Sequence, residues 1–226
     1  MKAMALAAGK GTRLYPLTGE IPKPMAPVAD TPIIEHIFSL LAAHGVREVY
    51  VNVHYMADAL LETYGKESTM NGMSVCLSRE QELLGTAGGV KRLAANFDDT
   101  FVVISGDALT DVDVGELVAF HKEKGALATM ALRRVHDTAG FGVVEIDAEG
   151  DILGFQEKPD PKEAISTLAN TGIYVFEPRP SIMYRRGPSS TSPGTFSRSS
   201  SRTGNASWAT RGISTGRTSA RFSPTG

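Results

Sequence analysis

Phe101–Ser105 (FVVIS) is apolar at consecutive positions. A strand of that kind is covered on both faces, which is typical of a sheet with helices on either side. The neighbouring segments supply the pattern. Lys2–Ala7 is a short apolar strand. Ile33–Ala43 has helical spacing at Ile33, Ile37, Leu40 and Leu41 and follows Thr31-Pro32, a cap-like start. Glu48–Val53 alternates and is β-branched, and so reads as a strand. Ala57–Tyr64 and Ala87–Asn96 read as helices and Met73–Leu77 as a strand. Asp113–Lys124 reads as a helix with Val114, Leu117, Val118 and His121 on one side. Thr129–Arg134, Gly142–Ile146, Ile152–Glu157 and Gly172–Phe176 read as strands. This alternation predicts an α/β domain over residues 1–178 with a mainly parallel, doubly wound sheet. Ligands in such sheets sit beyond the carboxyl ends of the strands.

The charge distribution sets the rest of the chain apart. The formal net charge of −2 hides 16 basic and 25 acidic groups in residues 1–180, against seven Arg and no acid in Ser181–Gly226. Ser, Thr, Gly and Arg make up 32 of those last 46 residues, with no Leu and no Val. Residues 179–226 therefore read as an unstructured, low-complexity tail, unable to bury enough apolar surface to offset ordering entropy. No stretch approaches the roughly 20 apolar residues of a membrane span. The short apolar start before Lys10 does not suit a secretory signal. A single cysteine, Cys76, fits a reducing cytoplasm. The five histidines lack metal-ligand spacing.

The first strand runs directly into Ala8-Gly9-Lys10-Gly11-Thr12-Arg13. Glycines there let backbone N–H groups approach a phosphate, and an arginine can grip its oxygens. The spacing is not that of a P-loop. The third glycine of a dinucleotide fingerprint is replaced by Leu14. The wider run through Leu14-Tyr15-Pro16-Leu17-Thr18 and Pro22-Lys23-Pro24-Met25 resembles the signature of sugar-1-phosphate nucleotidyltransferases (NDP-sugar pyrophosphorylases). Ala8-Gly9 stands where the family usually has Gly-Gly. The resemblance continues through Gly85-Thr86-Ala87-Gly88, Ser105-Gly106-Asp107, Phe141-Gly142-Val143-Val144, Glu157-Lys158-Pro159 and Asn170-Thr171-Gly172-Ile173-Tyr174.

The resemblance implies a Rossmann-like fold and a transfer in which a sugar-1-phosphate oxygen attacks the α-phosphate of an NTP, with Mg²⁺ assisting pyrophosphate departure. Arg13 and Lys23 would be catalytic, neutralising the triphosphate. Ala8, Gly9, Gly11, Thr12, Glu80, Gly85 and Thr86 would hold the nucleotide. Gly142, Glu157, Lys158 and Asn170 would hold the sugar phosphate, and Asp107 would bind the metal. Each residue also has a plainer reading: Lys23 as a solvated surface lysine, Asp107 as a turn or cap, Glu157-Lys158 as a surface pair, Asn170 as an Asx turn. Asp111 and Asp113 read as helix caps. The implied partners are an NTP and a sugar-1-phosphate, with no nucleic acid and no membrane; relatives of full length can form homo-oligomers.

A carboxylate at Glu80 can accept from two guanine N–H groups. The run Glu80 to Gly88 resembles mannose-1-phosphate guanylyltransferases, so GTP and mannose-1-phosphate are the expected pair, with UTP- or dTTP-dependent transfer to glucose-1-phosphate as the alternative. A non-catalytic nucleotide-sugar-binding protein is the second alternative. The family's later Trp-x-Asp-Ile-Gly-Thr, which carries a second metal carboxylate, does not occur in the tail as written. Reading the codons one base earlier permits Glu-Gly-Pro-Glu-Phe-Asp-Phe-Ser across Arg186–Pro193, Trp-x-Asp across Gly216–Thr218 and Ile-Gly-Thr across Ser219–Arg221. The tail is accordingly expected to be the product of a frame shift near Arg179–Ser181.

Overall fold

The protein is described by a computed structural model covering residues 1–11, 15–178 and 210–214. Its centre is four parallel strands: β1 (Lys2–Ala7), β4 (Glu48–Val53), β6 (Met73–Arg79) and β7 (Phe101–Ser105), in the order β7-β1-β4-β6. Between them run α2 (Ile33–Ala43), α3 (Ala57–Tyr64) and α4 (Gly85–Leu93). Helix α1 (Leu17–Glu20) and the two-residue strands β2 (Pro27–Val28) and β3 (Thr31–Pro32) fill the connection after β1. Beyond β7 come α5 (Val114–Lys124), β8 (Ala128–Arg134), β9 (Val143–Ile146), β10 (Ile152–Gln156) and β11 (Leu168–Phe176).

The consecutive apolar run of β7 is divided between two cores. Val102 and Ile104 join a cluster with Ile34, Phe38, Leu41, Leu60 and Leu117 from α2, α3 and α5. Phe101 and Val103 join Met4, Leu93 and Phe97 in a second cluster. These four apolar side chains of β7 are 1% exposed or less, each contributing on the order of 2 kcal/mol by leaving water. This is the two-sided burial read from the sequence.

The second half of the mainly parallel, mixed sheet is antiparallel. β11 pairs antiparallel with β7, β8 and β9, and β9 pairs antiparallel with β10. No helix lies between β8 and β11 in the element order, and strands joined without a crossover pair antiparallel. A short antiparallel edge strand, β5 (Glu67–Met70), covers β6. One segment of the tail, 210–214, falls within the described residues. β12 (Thr210–Ser214) pairs in parallel with β8, whose outer edge offers unpaired backbone groups to any added strand. The proposed frame shift otherwise falls on residues outside those described. Among the described residues no helix is long and apolar enough to cross a membrane.

Candidate active site

Beyond the carboxyl ends of the neighbouring strands β1 and β7, the structure brings Gly11, Lys23 and Asp107 together. After β1, Ala8 is buried and Gly9 and Lys10 are exposed. Gly11 has φ +62°, and a Cβ built on it would lie 2.8 Å from Lys23 Cβ and 3.2 Å from Thr18 Cγ2. The loop is therefore packed directly on the Pro22-Lys23-Pro24 segment, with Thr18 Oγ1 donating to Gly11 O at 2.9 Å. Thr12 and Arg13 lie outside the described residues.

Lys23 begins a 3-10 turn (Lys23–Met25) flanked by prolines. It is not a solvated surface lysine, since its ammonium donates to Asp107 Oδ2 at 2.7 Å. Asp107 follows β7, and Gly106 places it by donating its N–H to Leu6 O at 2.8 Å, which ties the turn to the end of β1. The Lys23 and Asp107 side chains are 22% and 37% exposed, so the pair is reachable from solvent.

The predicted sugar-side residues meet on the antiparallel half. Gly142 O accepts from Asn170 N–H at 2.8 Å. A Cβ at Gly142 would come within 2.9 Å of Phe155 Cζ and 3.2 Å of Glu157 Oε2. Asn170 Oδ1 accepts from Gly172 N–H at 2.8 Å, the Asx turn among the plainer readings. Its Nδ2 meanwhile donates to Tyr174 Oη at 2.8 Å. Burial pushes the Tyr174 phenol above its ordinary value, against the Asn170 hydrogen bond and with help from the Glu157 charge. The phenol stays protonated at neutral pH, with its own proton available to donate. Gly172, at φ +75°, is where β11 breaks register; a Cβ there would lie 2.5 Å from Ser105 Oγ. That contact brings the sugar-side turn against the end of β7, next to Gly106-Asp107. Lys158 adopts φ +44° and pairs with its neighbour Glu157 at 2.9 Å. Strained backbone of this kind collects at functional sites.

The predicted base-side loop holds a different surprise. Residues 81–87 are exposed, including Gly85 and Thr86 at the start of α4, but Glu80 is only 2% exposed. Glu80 Oε1 accepts from Asn52 Nδ2 at 2.8 Å and Oε2 from Leu84 N–H at 3.3 Å. The carboxylate faces inward rather than into an open groove. Asp113 is the N-cap of α5, accepting from Glu116 N–H at 2.8 Å, as read from sequence. Asn52, Tyr174 and Ser105 were not singled out. The signal for Asn52 was an amide side chain among the buried valines of β4.

A separate polar recess, lined by Thr100, His121, Lys122, Gly125, Ala126 and Glu177, lies at the amino ends of β7 and β8, away from these residues. His121 is 1% exposed, bridging Thr129 Oγ1 at 2.8 Å and Glu177 Oε1 at 3.1 Å. Burial lowers its pKa, with the Glu177 carboxylate opposing.

The family described as nucleotidyl transferase matches residues 2–192. The chain is 45% identical over 192 residues to a UTP--glucose-1-phosphate uridylyltransferase of Synechocystis sp., covering 79% of this chain and 49% of that protein. It is 38% identical over 178 residues to a mannose-1-phosphate guanylyltransferase of Mycobacterium tuberculosis, covering 77% of this chain and 48% of the relative. The chain thus spans about half the length of the curated relatives it matches. Among solved structures, one described as a putative glucose-1-phosphate thymidylyltransferase from Bacillus anthracis aligns with TM-score 0.70 at 29% identity, over 79% of this chain and 72% of that one. HddC from Yersinia pseudotuberculosis, solved with GMP-PN, shares the fold with TM-score 0.74 at 23% identity, over 95% and 90% of the two chains.

Proposed function

The chain belongs to the nucleotidyl transferase family, and from that premise we propose that it transfers a nucleotidyl group from an NTP to a sugar-1-phosphate, releasing pyrophosphate. The observation that carries the reading is the Lys23–Asp107 pair, packed against the glycine loop at the carboxyl ends of β1 and β7.

A sugar-1-phosphate oxygen forms the new bond to the α-phosphorus as the bond to the bridging oxygen breaks, and pyrophosphate carries away the electron pair. The nucleophile is already anionic near neutral pH, since a phosphomonoester loses its second proton at about pH 6. No general base is required, and the protein's work is positioning and charge neutralisation. Lys23 neutralises charge on the triphosphate, and Arg13 is assigned the same task. Lys158 holds the acceptor's phosphate. Glu157, Asn170 and the Gly142 backbone hold its hydroxyls, joined by the Tyr174 phenol.

Asp107 supplies a hard oxygen donor suited to Mg²⁺, which commonly takes one or two carboxylates and completes its shell with water and substrate phosphates. Among the described residues no group of three or more candidate metal ligands occurs, so further ligands would come from water and substrate. When bound, the ion would supply charge neutralisation at the phosphates.

The expected choice of GTP and mannose-1-phosphate rested on Glu80 reading a guanine edge. With Glu80 turned inward, that argument loses its surface, and the 45% identity to a uridylyltransferase favours UTP and glucose-1-phosphate as the first pair. GTP with mannose-1-phosphate is the second reading, supported by the 38% identical guanylyltransferase. Pyrophosphate release measured with UTP, GTP, dTTP and ATP against each sugar-1-phosphate tests both. Release that requires one NTP and one sugar phosphate together supports transfer. Saturable binding without release would instead favour the non-catalytic sensor.

A further inference from the structure

We propose that Asn52 is a positioning residue that, through Glu80, fixes the base-side loop relative to the glycine loop, and so sets the span a nucleotide must bridge. The inference rests on the nucleotide reading of the site given above.

Asn52 stands at the carboxyl end of β4, 3% exposed, between β1 and β6. Its Oδ1 accepts from Ala7 N–H at 3.0 Å, at the root of the glycine loop. Its Nδ2 donates to Glu80 Oε1 at 2.8 Å. Glu80 in turn takes Leu84 N–H on Oε2 and donates its own N–H to Val53 O at 2.8 Å. The Glu80 carbonyl accepts from His54 Nδ1 at 3.1 Å, which requires the proton on that nitrogen. One amide thus joins the two loops that would take opposite ends of a nucleotide, and Glu80 has no cationic partner among the described residues.

Buried carboxylates need compensating donors. Here the donors are a side chain and a loop N–H, so the loop's position is set by where Asn52 holds Glu80. Gly89 of α4 guards the arrangement, since a Cβ there would lie 2.8 Å from Asn52 Nδ2 and 3.0 Å from Glu80 Oε1.

Equilibrium titration of the full chain with Mg²⁺ and UTP, GTP or tripolyphosphate tests the proposal. Tripolyphosphate engages the glycine loop and Lys23 but not the base side. Asn52→Leu is expected to weaken both nucleotides about tenfold, the loss of one hydrogen bond to a charged group. Tripolyphosphate should stay within about twofold in Gly89→Ala, which leaves the Asn52 Oδ1 bond to Ala7 in place, and should weaken less than the nucleotides in Asn52→Leu, which also removes that acceptor from the glycine loop. Gly89→Ala, which wedges the same bond open while favouring the helix, is expected to reproduce the split and keeps the test valid if Asn52→Leu does not fold. Asn52→Leu combined with Glu80→Gln should be no weaker than the worse single variant.

Parallel loss of nucleotide and tripolyphosphate would reveal a merely structural role and overturn the proposal. So would nucleotide affinity unchanged in both variants, or a changed UTP-to-GTP ratio in Glu80→Gln alone, which would make Glu80 a direct base reader. A wild-type chain that binds none of the nucleotides sinks the nucleotide reading itself. That failure is recognised by its appearance before any substitution.

Discussion

Replacing Gly11 by alanine should damage stability and nucleotide binding together, by an amount the geometry bounds. Gly11 adopts φ +62°, and its missing methyl would lie 2.8 Å from Lys23 Cβ. A left-handed alanine costs about 1–2 kcal/mol. The clash adds about 1–3 kcal/mol, typical of overpacking, because a Cβ can retreat only with its own backbone. Gly45→Ala is the matched control: Gly45 has φ +77° and nothing within 4 Å of the added methyl, so only the backbone cost of about 1–2 kcal/mol applies. Urea unfolding of the two variants should differ by roughly 2 kcal/mol, the share owed to the close approach. Because the relief of that clash moves Lys23, Gly11→Ala should also weaken binding of Mg²⁺ and UTP or GTP about tenfold or more, while Gly45→Ala should not. Equal destabilisation by the two substitutions, or unchanged nucleotide affinity in Gly11→Ala, would refute the claim that the loop is seated on Lys23.

Lys23→Ala should abolish measurable nucleotide binding yet shift unfolding by less than about 1 kcal/mol, because the pair with Asp107 is solvent-reachable; calorimetric titration beside thermal melts checks both halves. Asp113→Ala should cost about 1 kcal/mol through loss of the α5 cap and leave nucleotide affinity alone. His121 has a folded pKa below its ordinary 6.5, chiefly through burial, so the unfolded chain binds the extra proton first. Its contribution is fully present above about pH 6.5 and is lost as the pH falls through that value towards the depressed folded one. His121→Gln should flatten the slope of unfolding free energy in that window, and an unchanged slope would acquit the residue. Sequencing the coding DNA should show Trp-x-Asp-Ile-Gly one base earlier opposite Gly216–Ala220, and any other reading there ends the frame-shift account.

The features legible in the sequence are those enforced locally. The consecutive apolar residues of Phe101–Ser105 announce burial on two faces, and Val102 and Val103 do fall into different cores. Asp113 announces its cap because the donor it satisfies lies three residues away. Order along the chain also brought Lys23, Asp107, Gly142, Glu157 and Asn170 under suspicion, and Lys23 and Asp107 do meet. What could not be read depends on partners distant in sequence. Glu80 sits in a polar run and looks solvated, yet Asn52, 28 residues earlier, draws it inside. Lys23 between prolines looks like a surface lysine until Asp107, 84 residues on, is placed beside it. Edge strand β5 (ESTM) is short and weakly patterned, and it exists because β6 offers it an edge. The antiparallel turn of the sheet beyond β7 was implicit in the missing helices between β8 and β11.

The most direct test of the central claim is a Mg²⁺-dependent titration of the intact chain with UTP, GTP, dTTP and ATP, run beside Lys23→Ala. The account predicts saturable binding of at least one NTP by the wild type and its loss in Lys23→Ala. Failure of the wild type to bind any of the four, or binding that survives removal of the Lys23 ammonium, would contradict it.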